Sequence, residues 1–301
     1  MLKKACICVL AYNEERHIAG TLEAIIKNAP EPLFDIKVYP NGCTDRTVEI
    51  VRGLQKSCPR IEINELPQAS KPLAWNTAFL ENHHEFLIFS DGDIIPETGA
   101  PAEILEELKK NPDGVAVTCR LSANLRNTGL QNKIVGLLQT PFSQDFICGG
   151  FYAVRRRTLL EIFRENGLDG IPAGVTGEDF FLEMLLGEGQ VIISRKCFFY
   201  EPPGFRDYCR YLARMKWQDR QNTEFFAKLG SAIHEGNSFS RGLRKLRRSG
   251  LSLTLGGIAA VPARYVFKFI SFPVVNRFYK NIARSGAKGH QILNSMTRSV
   301  K

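Results

Sequence analysis

Several signatures that would assign this chain at once are missing, and each omission narrows the field. The eight cysteines (Cys6, Cys8, Cys43, Cys58, Cys119, Cys148, Cys197 and Cys209) include no Cys-x-x-Cys pair. That disfavours a zinc module or a disulfide framework and is the usage of a reducing compartment. His17, His83, His84, His234 and His290 have no metal-ligand spacing. Neither Gly-x-Gly-x-x-Gly nor the P-loop pattern stands at a strand-to-helix turn, which argues against dinucleotide and P-loop enzymes. No leader core follows Lys3 and Lys4, because Asn13, Glu14, Glu15 and Arg16 arrive too soon. A cytoplasmic chain is the expectation. In the hydrophobic C-terminal part the longest charge-free run, Ser249 to Ala263, falls short of the roughly 20 residues that a spanning helix needs.

What is present is an ordinary globular composition, 44% apolar and 24% charged over 301 residues, enough for one large domain and an appendage. The net charge of +9 gathers towards the C-terminus, where Arg241-Gly242-Leu243-Arg244-Lys245-Leu246-Arg247-Arg248 precedes the apolar stretch. Such asymmetry suits an anionic surface. Residues 241–283, with Arg264, Lys268, Arg277 and Lys280 among aliphatic and aromatic neighbours, are read as helices lying in a lipid headgroup layer. The alternative is an apolar arm packed on the core or on a second subunit.

The chain is organised around Phe86-Leu87-Ile88-Phe89-Ser90-Asp91-Gly92-Asp93. A continuous apolar run that ends in carboxylates reads as a buried central strand, and in open α/β sheets the ligand crevice lies beyond the carboxyl ends of such strands. Asp91 and Asp93 would repel one another unless a cation, such as a hard divalent ion carrying phosphate oxygens, lies between them. Alone, the triplet is also compatible with a solvated turn.

Three strand-and-helix units precede it: Ala5 to Ala11 with Ile18, Leu22 and Ile25; Ile36 to Tyr39 with Val48, Val51 and Leu54; and Ile61 to Ile63 with a helix opened by Ser70-Lys71-Pro72. Asn13 and Asp45 read as capping or first-turn residues of the first two helices. The alternation predicts a mainly parallel sheet covered on both faces, with Asn13-Glu14, Asn41 to Asp45 and Lys71 to Asn76 grouped beside Asp91 and Asp93. Further on, Pro101 to Lys110 reads as helix, Gly114 to Cys119 as strand, Leu121 to Gln144 as an irregular excursion, and Phe146 to Val154 as strand with a Gly149-Gly150 pair. Gly177-Glu178-Asp179 opens a helix, and Val191 to Ile193 and Cys197 to Tyr200 close the core. Phe205 to Leu229 is helical. The expected domains are 1–203, 204–248 and 249–301. Trp75 and Trp217 read as packing residues.

Taken in order, Val9 to Glu14, Asn41-Gly42-Cys43-Thr44-Asp45-Arg46-Thr47, Lys71 to Asn76, Ser90 to Asp93, Gly149 to Arg156 and Gly177-Glu178-Asp179 resemble the family-2 glycosyltransferases of the GT-A fold. The resemblance implies an inverting transferase that uses a nucleotide-sugar, UDP-sugar before GDP-sugar, with Mn²⁺ or Mg²⁺. It places Asp93 and Asp91 on the metal, Asp179 as general base with Glu178 orienting it or the acceptor, and Ala11, Tyr12, Asn13, Glu14, Asn41, Asp45, Lys71, Asn76, Asp91 and Gly92 around the donor. Pro40-Asn41 stands where the family commonly has Asp-Asp, so the base preference is open. Arg210, Arg214 and Lys216 lie after the core, but Gln-x-x-Arg-Trp, the mark of processive relatives, is absent, which favours transfer of one sugar. A glycan or lipid-linked acceptor on the inner face of the cell membrane completes the expectation. The rivals are a nucleotidyltransferase, which would want a Gly-rich basic N-terminal loop, and a nucleic-acid binder using residues 241–248, which would want aromatics among its cations.

Overall fold

The computed structural model describes residues 5–126, 128–139, 144, 146–173, 175, 177–187, 189–230, 273–277 and 279–280. It has the α/β architecture expected. The described residues divide into two compact units: one holds the chain up to Ser122 together with the stretch ending at Tyr200, and the other holds Ala123–Gln144 with the segments after Glu201.

In the first unit, β1 (Ala5–Ala11) is buried along its whole length, as a run of apolar residues without alternation requires. It pairs in parallel with β2 (Phe34–Pro40) and β4 (Phe86–Asp91), and β3 (Ile61–Ile63) extends the same edge. Register sets the ends level: Leu10 stands opposite both Tyr39 and Asp91, and Ala11 opposite Pro40. Helices α1 (Ile18–Asn28), α2 (Thr47–Ser57) and α3 (Lys71–Glu81) connect these strands. Ser70 Oγ caps α3 by accepting the Leu73 amide, with Pro72 in the first turn as anticipated. Trp75 is fully buried, stacks on Phe79 and Phe89, and donates Nε1–H to Tyr152 Oη at 2.7 Å. It is a packing residue, and truncating such a side chain costs about 3–5 kcal/mol.

Beyond β4 the sheet changes direction. The full order is β3-β2-β1-β4-β7-β6-β8-β5, with β5 (Ile94–Pro96), β6 (Ala116–Ala123), β7 (Phe151–Arg155) and β8 (Val191–Tyr200). Strand β7 runs antiparallel to β4, with Ser90 opposite Phe151, so its beginning lies at the end of β4. Asp91 N–H donates to Gly150 O there at 3.0 Å. α4 (Ala100–Lys110), α6 (Arg156–Glu165) and α7 (Glu178–Leu185) complete this unit. Arg156 opens α6, on which Leu159 and Phe163, four apart, are both buried.

In the second unit, α5 (Leu130–Gln139) replaces the irregular excursion expected between Leu121 and Gln144, and α8 (Phe205–Gly230) is the long helix anticipated after the core. Trp217 meets Tyr279 edge-on at 6.4 Å. Apart from 273–277 and 279–280, the stretch 241–283 expected to meet a membrane lies outside the described residues. Among those that are described, no helix is long and apolar enough to cross a membrane.

Candidate active site

The level strand ends form the floor of the site. Gly92, just past β4, is buried, and a Cβ there would stand 3.2 Å from Ala11 Cβ and from Glu14 Cγ. Its carbonyl accepts Thr21 Oγ1–H at 3.0 Å, which fixes the turn between Asp91 and Asp93. Asp93 keeps an exposed side, while Asp91 is half-buried.

Lys71, at the start of α3, joins two parts of the site. Its ammonium lies 2.7 Å from Asp91 Oδ1 and 2.7 Å from Glu178 Oε1. Burial works against the charged amine, but Asp91, Glu178 and Asp179 outweigh it and hold its pKa well above the usual lysine range. Glu178 is 2% exposed. Burial drives its carboxyl up from 4.5 to about 7, opposed by Lys71 and assisted by Asp179 and Asp91.

Asp179 is held differently. Oδ2 accepts Gly149 N–H at 3.1 Å and Oδ1 accepts Phe180 N–H at 2.8 Å. Gly149 must be glycine for this, since a Cβ would lie 2.8 Å from Asp179 Oδ2, and Gly177 takes φ of 92° to start α7. Asp179 acts electrostatically on the Lys71 ammonium, and the ammonium in turn on Asp93.

Glu14 forms the third wall. Its amide donates to Thr47 Oγ1 at 2.7 Å and its carboxylate meets His17 Nδ1 at 3.4 Å. Burial lifts its pKa from 4.5 to about 7, against the His17 hydrogen bond and with Asp93 and Asp91 adding to the rise. Asp93 is itself raised, by desolvation first and by Asp91 second.

Asp93 and Asp91 thus push the Glu14 carboxyl up and Asp91 does the same to Asp93, an excess of negative charge that suits a cation. Among the described residues no group of three such side chains forms a cage by itself. Two carboxylates with the rest of the shell drawn from a substrate diphosphate is a usual arrangement for Mg²⁺.

Other residues expected around the donor make hydrogen bonds within the protein. Asn13 is not the cap of α1, which begins at Ile18; it sits at φ 56° with Oδ1 accepting Thr44 N–H at 2.8 Å. A short polar side chain tolerates that conformation. Asn41 is buried, and its Nδ2 donates to Ala11 O at 2.9 Å and more distantly to Tyr39 O, so its donors are engaged within the protein. The Ala11 carbonyl is likewise taken, also accepting Asn41 N–H. Asp45 Oδ1 accepts from Thr47 Oγ1 and Thr47 N, and Oδ2 from Glu15 N. Asn76 forms a two-way bond with Ile171, accepting its N–H at 2.9 Å and donating to its carbonyl at 2.8 Å. That ties α3 to the loop leading into α7. Tyr12, half-buried, adjoins these at the end of β1. Thr21 escaped the sequence reading, and Thr47 and His17 received no role of their own in it, because single Thr and His residues near a helix start carry no pattern.

The model of Glycosyl transferase family 2 matches residues 6–163, more than half of the chain. The chain belongs to this family. Its fold is GT-A. A curated relative, the poly-beta-1,6-N-acetyl-D-glucosamine synthase of Staphylococcus epidermidis, is 27% identical over 131 residues, 43% of this chain but only 30% of the relative's length. Among solved structures, the mannosyltransferase PcManGT from Pyrobaculum calidifontis, in complex with GDP-Man and Mn²⁺, superposes with a TM-score of 0.62 at 21% identity, covering 98% of this chain and 84% of that one. S. aureus TarS 1-349 in complex with UDP gives 0.50 at 17% identity over 95% and 92% of the two chains.

Proposed function

We propose that this glycosyltransferase moves one sugar, with inversion, from a nucleotide-sugar to a lipid or lipid-linked saccharide at the cytoplasmic face of a membrane. The observation that carries the reading is the Lys71 ammonium standing 2.7 Å from both Asp91 and Glu178, which draws the strand-end carboxylates and the Glu-Asp pair into one crevice. UDP-sugar is the favoured donor and GDP-sugar the alternative; solved relatives of this fold hold one or the other nucleotide.

Asp179 is the general base. With one lone pair of each oxygen held by a backbone amide, its carboxylate keeps a fixed aim and still has capacity to accept the acceptor hydroxyl's proton. The deprotonating oxygen attacks the anomeric carbon from the side opposite the leaving group, the bond to the diphosphate breaks, and the configuration inverts. Glu178, buried and paired with Lys71, orients this end of α7 rather than taking a proton from the acceptor. Asp93 and Asp91 would hold Mn²⁺ or Mg²⁺, which when bound offsets the charge growing on the departing diphosphate. Glu14 and Tyr12 line the donor side.

Thermal stabilisation by UDP- and GDP-sugars, with and without Mn²⁺, tests the donor and metal together. One nucleotide-sugar should raise the Tm in a metal-dependent way, and a transfer assay with that donor should give the inverted product. A chain that no nucleotide-sugar stabilises, or a product of retained configuration, would overturn the reading.

A further inference from the structure

Helix α5 wears its apolar side outward. Val135 is fully buried, Asn132 Nδ2 donates to Pro202 O at 3.0 Å, and a Cβ on Gly136 would lie 2.8 Å from Leu125 Cδ2 and Pro202 Cγ. These residues define the packed face. On the opposite face, at helical spacing, Leu130, Ile134 and Leu137 are 76%, 48% and 63% exposed, with exposed Lys133 on their flank. A helix on the surface of a water-soluble domain normally carries polar residues there. One exposed aliphatic needs no explanation. Three in a stripe about 10 Å long mark a place where something docks.

Charge identifies the occupant. Residues 123–144 contain Arg126 and Lys133 and neither Asp nor Glu. A second copy pairing through this face would set like charges against each other. An interface of phosphates over hydrocarbon accepts both features, because aliphatic side chains can enter the acyl boundary while the cations stay at the headgroups.

We propose that α5 lies in the headgroup layer of an anionic membrane, with Leu130, Ile134 and Leu137 inserted and Lys133 and Arg126 at the level of the phosphates. The residues named here are other than those of 241–283. It rests on the geometry of α5 and the charge around it, so it stands apart from the identity of donor and acceptor.

The test is flotation of the full chain with vesicles of phosphatidylglycerol and phosphatidylcholine, compared with phosphatidylcholine alone. The unaltered chain should float with the anionic vesicles. The triple variant Leu130→Gln, Ile134→Gln, Leu137→Gln should bind about tenfold more weakly or worse, while its melting temperature and its stabilisation by nucleotide-sugar are unchanged. Lys133→Glu, a single exposed change, should give a smaller loss that high salt abolishes. Transfer to a water-soluble acceptor should be unaffected in both variants, which keeps this proposal and the transferase reading independently testable. Flotation of the triple variant equal to the unaltered chain would overturn the proposal and leave lipid contact to residues 241–283. An unaltered chain that stays unbound, or a dimer that the triple variant dissociates, would overturn it as well.

Discussion

The two halves of the central sheet reach the same crevice by opposite routes. In β3-β2-β1-β4 the strands are parallel, so their ends offer side chains: Asp91 ends β4, and Glu14 and Asp93 follow β1 and β4. Across β4 the strand β7 runs the other way and begins at the crevice, so it offers backbone: the turn before it supplies Gly150 O to Asp91 N–H and Gly149 N–H to Asp179. The parallel half concentrates negative charge, and the turn that opens the antiparallel half holds Asp179, the carboxylate proposed as base. Lys71 spans the divide.

The sharpest way to break this comparison is Asp179→Asn, which keeps shape and one hydrogen bond but cannot take a proton. Transfer should fall by about 10²–10⁴ while calorimetry still registers donor binding; unchanged transfer would remove Asp179 as base. On the parallel side, Asp93→Ala should lower Mn²⁺-supported turnover by roughly 10²–10³, together with the metal-dependent part of donor stabilisation. Equal turnover in the variant would deny Asp93 its metal role. Gly149→Ala places a methyl group 2.8 Å from Asp179 Oδ2, so the carboxylate must move. A displacement of this size can cost about 10²-fold in kcat, and kcat should drop with little change in donor KM.

Glu14 and Glu178 supply a test by pH, since both rise from 4.5 to about 7 in the folded chain. Between those values the folded state binds more protons than the unfolded one, so the contribution of these groups to stability is full below pH 4.5 and is lost as pH rises through about 7. Melting of the metal-free chain should therefore decline from pH 5 to 8, less steeply for Glu178→Gln. A slope identical in that variant would mean that Glu178 ionises normally. The smallest effect belongs to Asn76→Ala, which removes both bonds to Ile171. It should cost about 1–2 kcal/mol, read as a fall of a few degrees in Tm, and should lower kcat more than donor affinity.

How far the sequence could be read depended on whether the signal was local. Strands β1 and β4 and the capped start of α3 were legible because unbroken apolar runs and a Ser-x-Pro start have few other solutions. Helix α5 was not, since its exposed Leu130, Ile134 and Leu137 and buried Gly136 reverse the pattern by which a surface helix is recognised. Asn41, Asp45 and Asn76 carried the right chemistry for a donor site, yet the fold engages them with its own backbone.

The sequence by itself determined the family, the α/β class and which carboxylates are available, because those follow from residue types at fixed spacing. Tertiary structure alone decided how they are used: that Lys71 joins Asp91 to Glu178, that Gly149 clamps Asp179, and that Asn76 pins the loop before α7. Each of those contacts joins segments far apart in the chain, and only the reversal of β7 against β4 brings the last wall of the crevice beside the first.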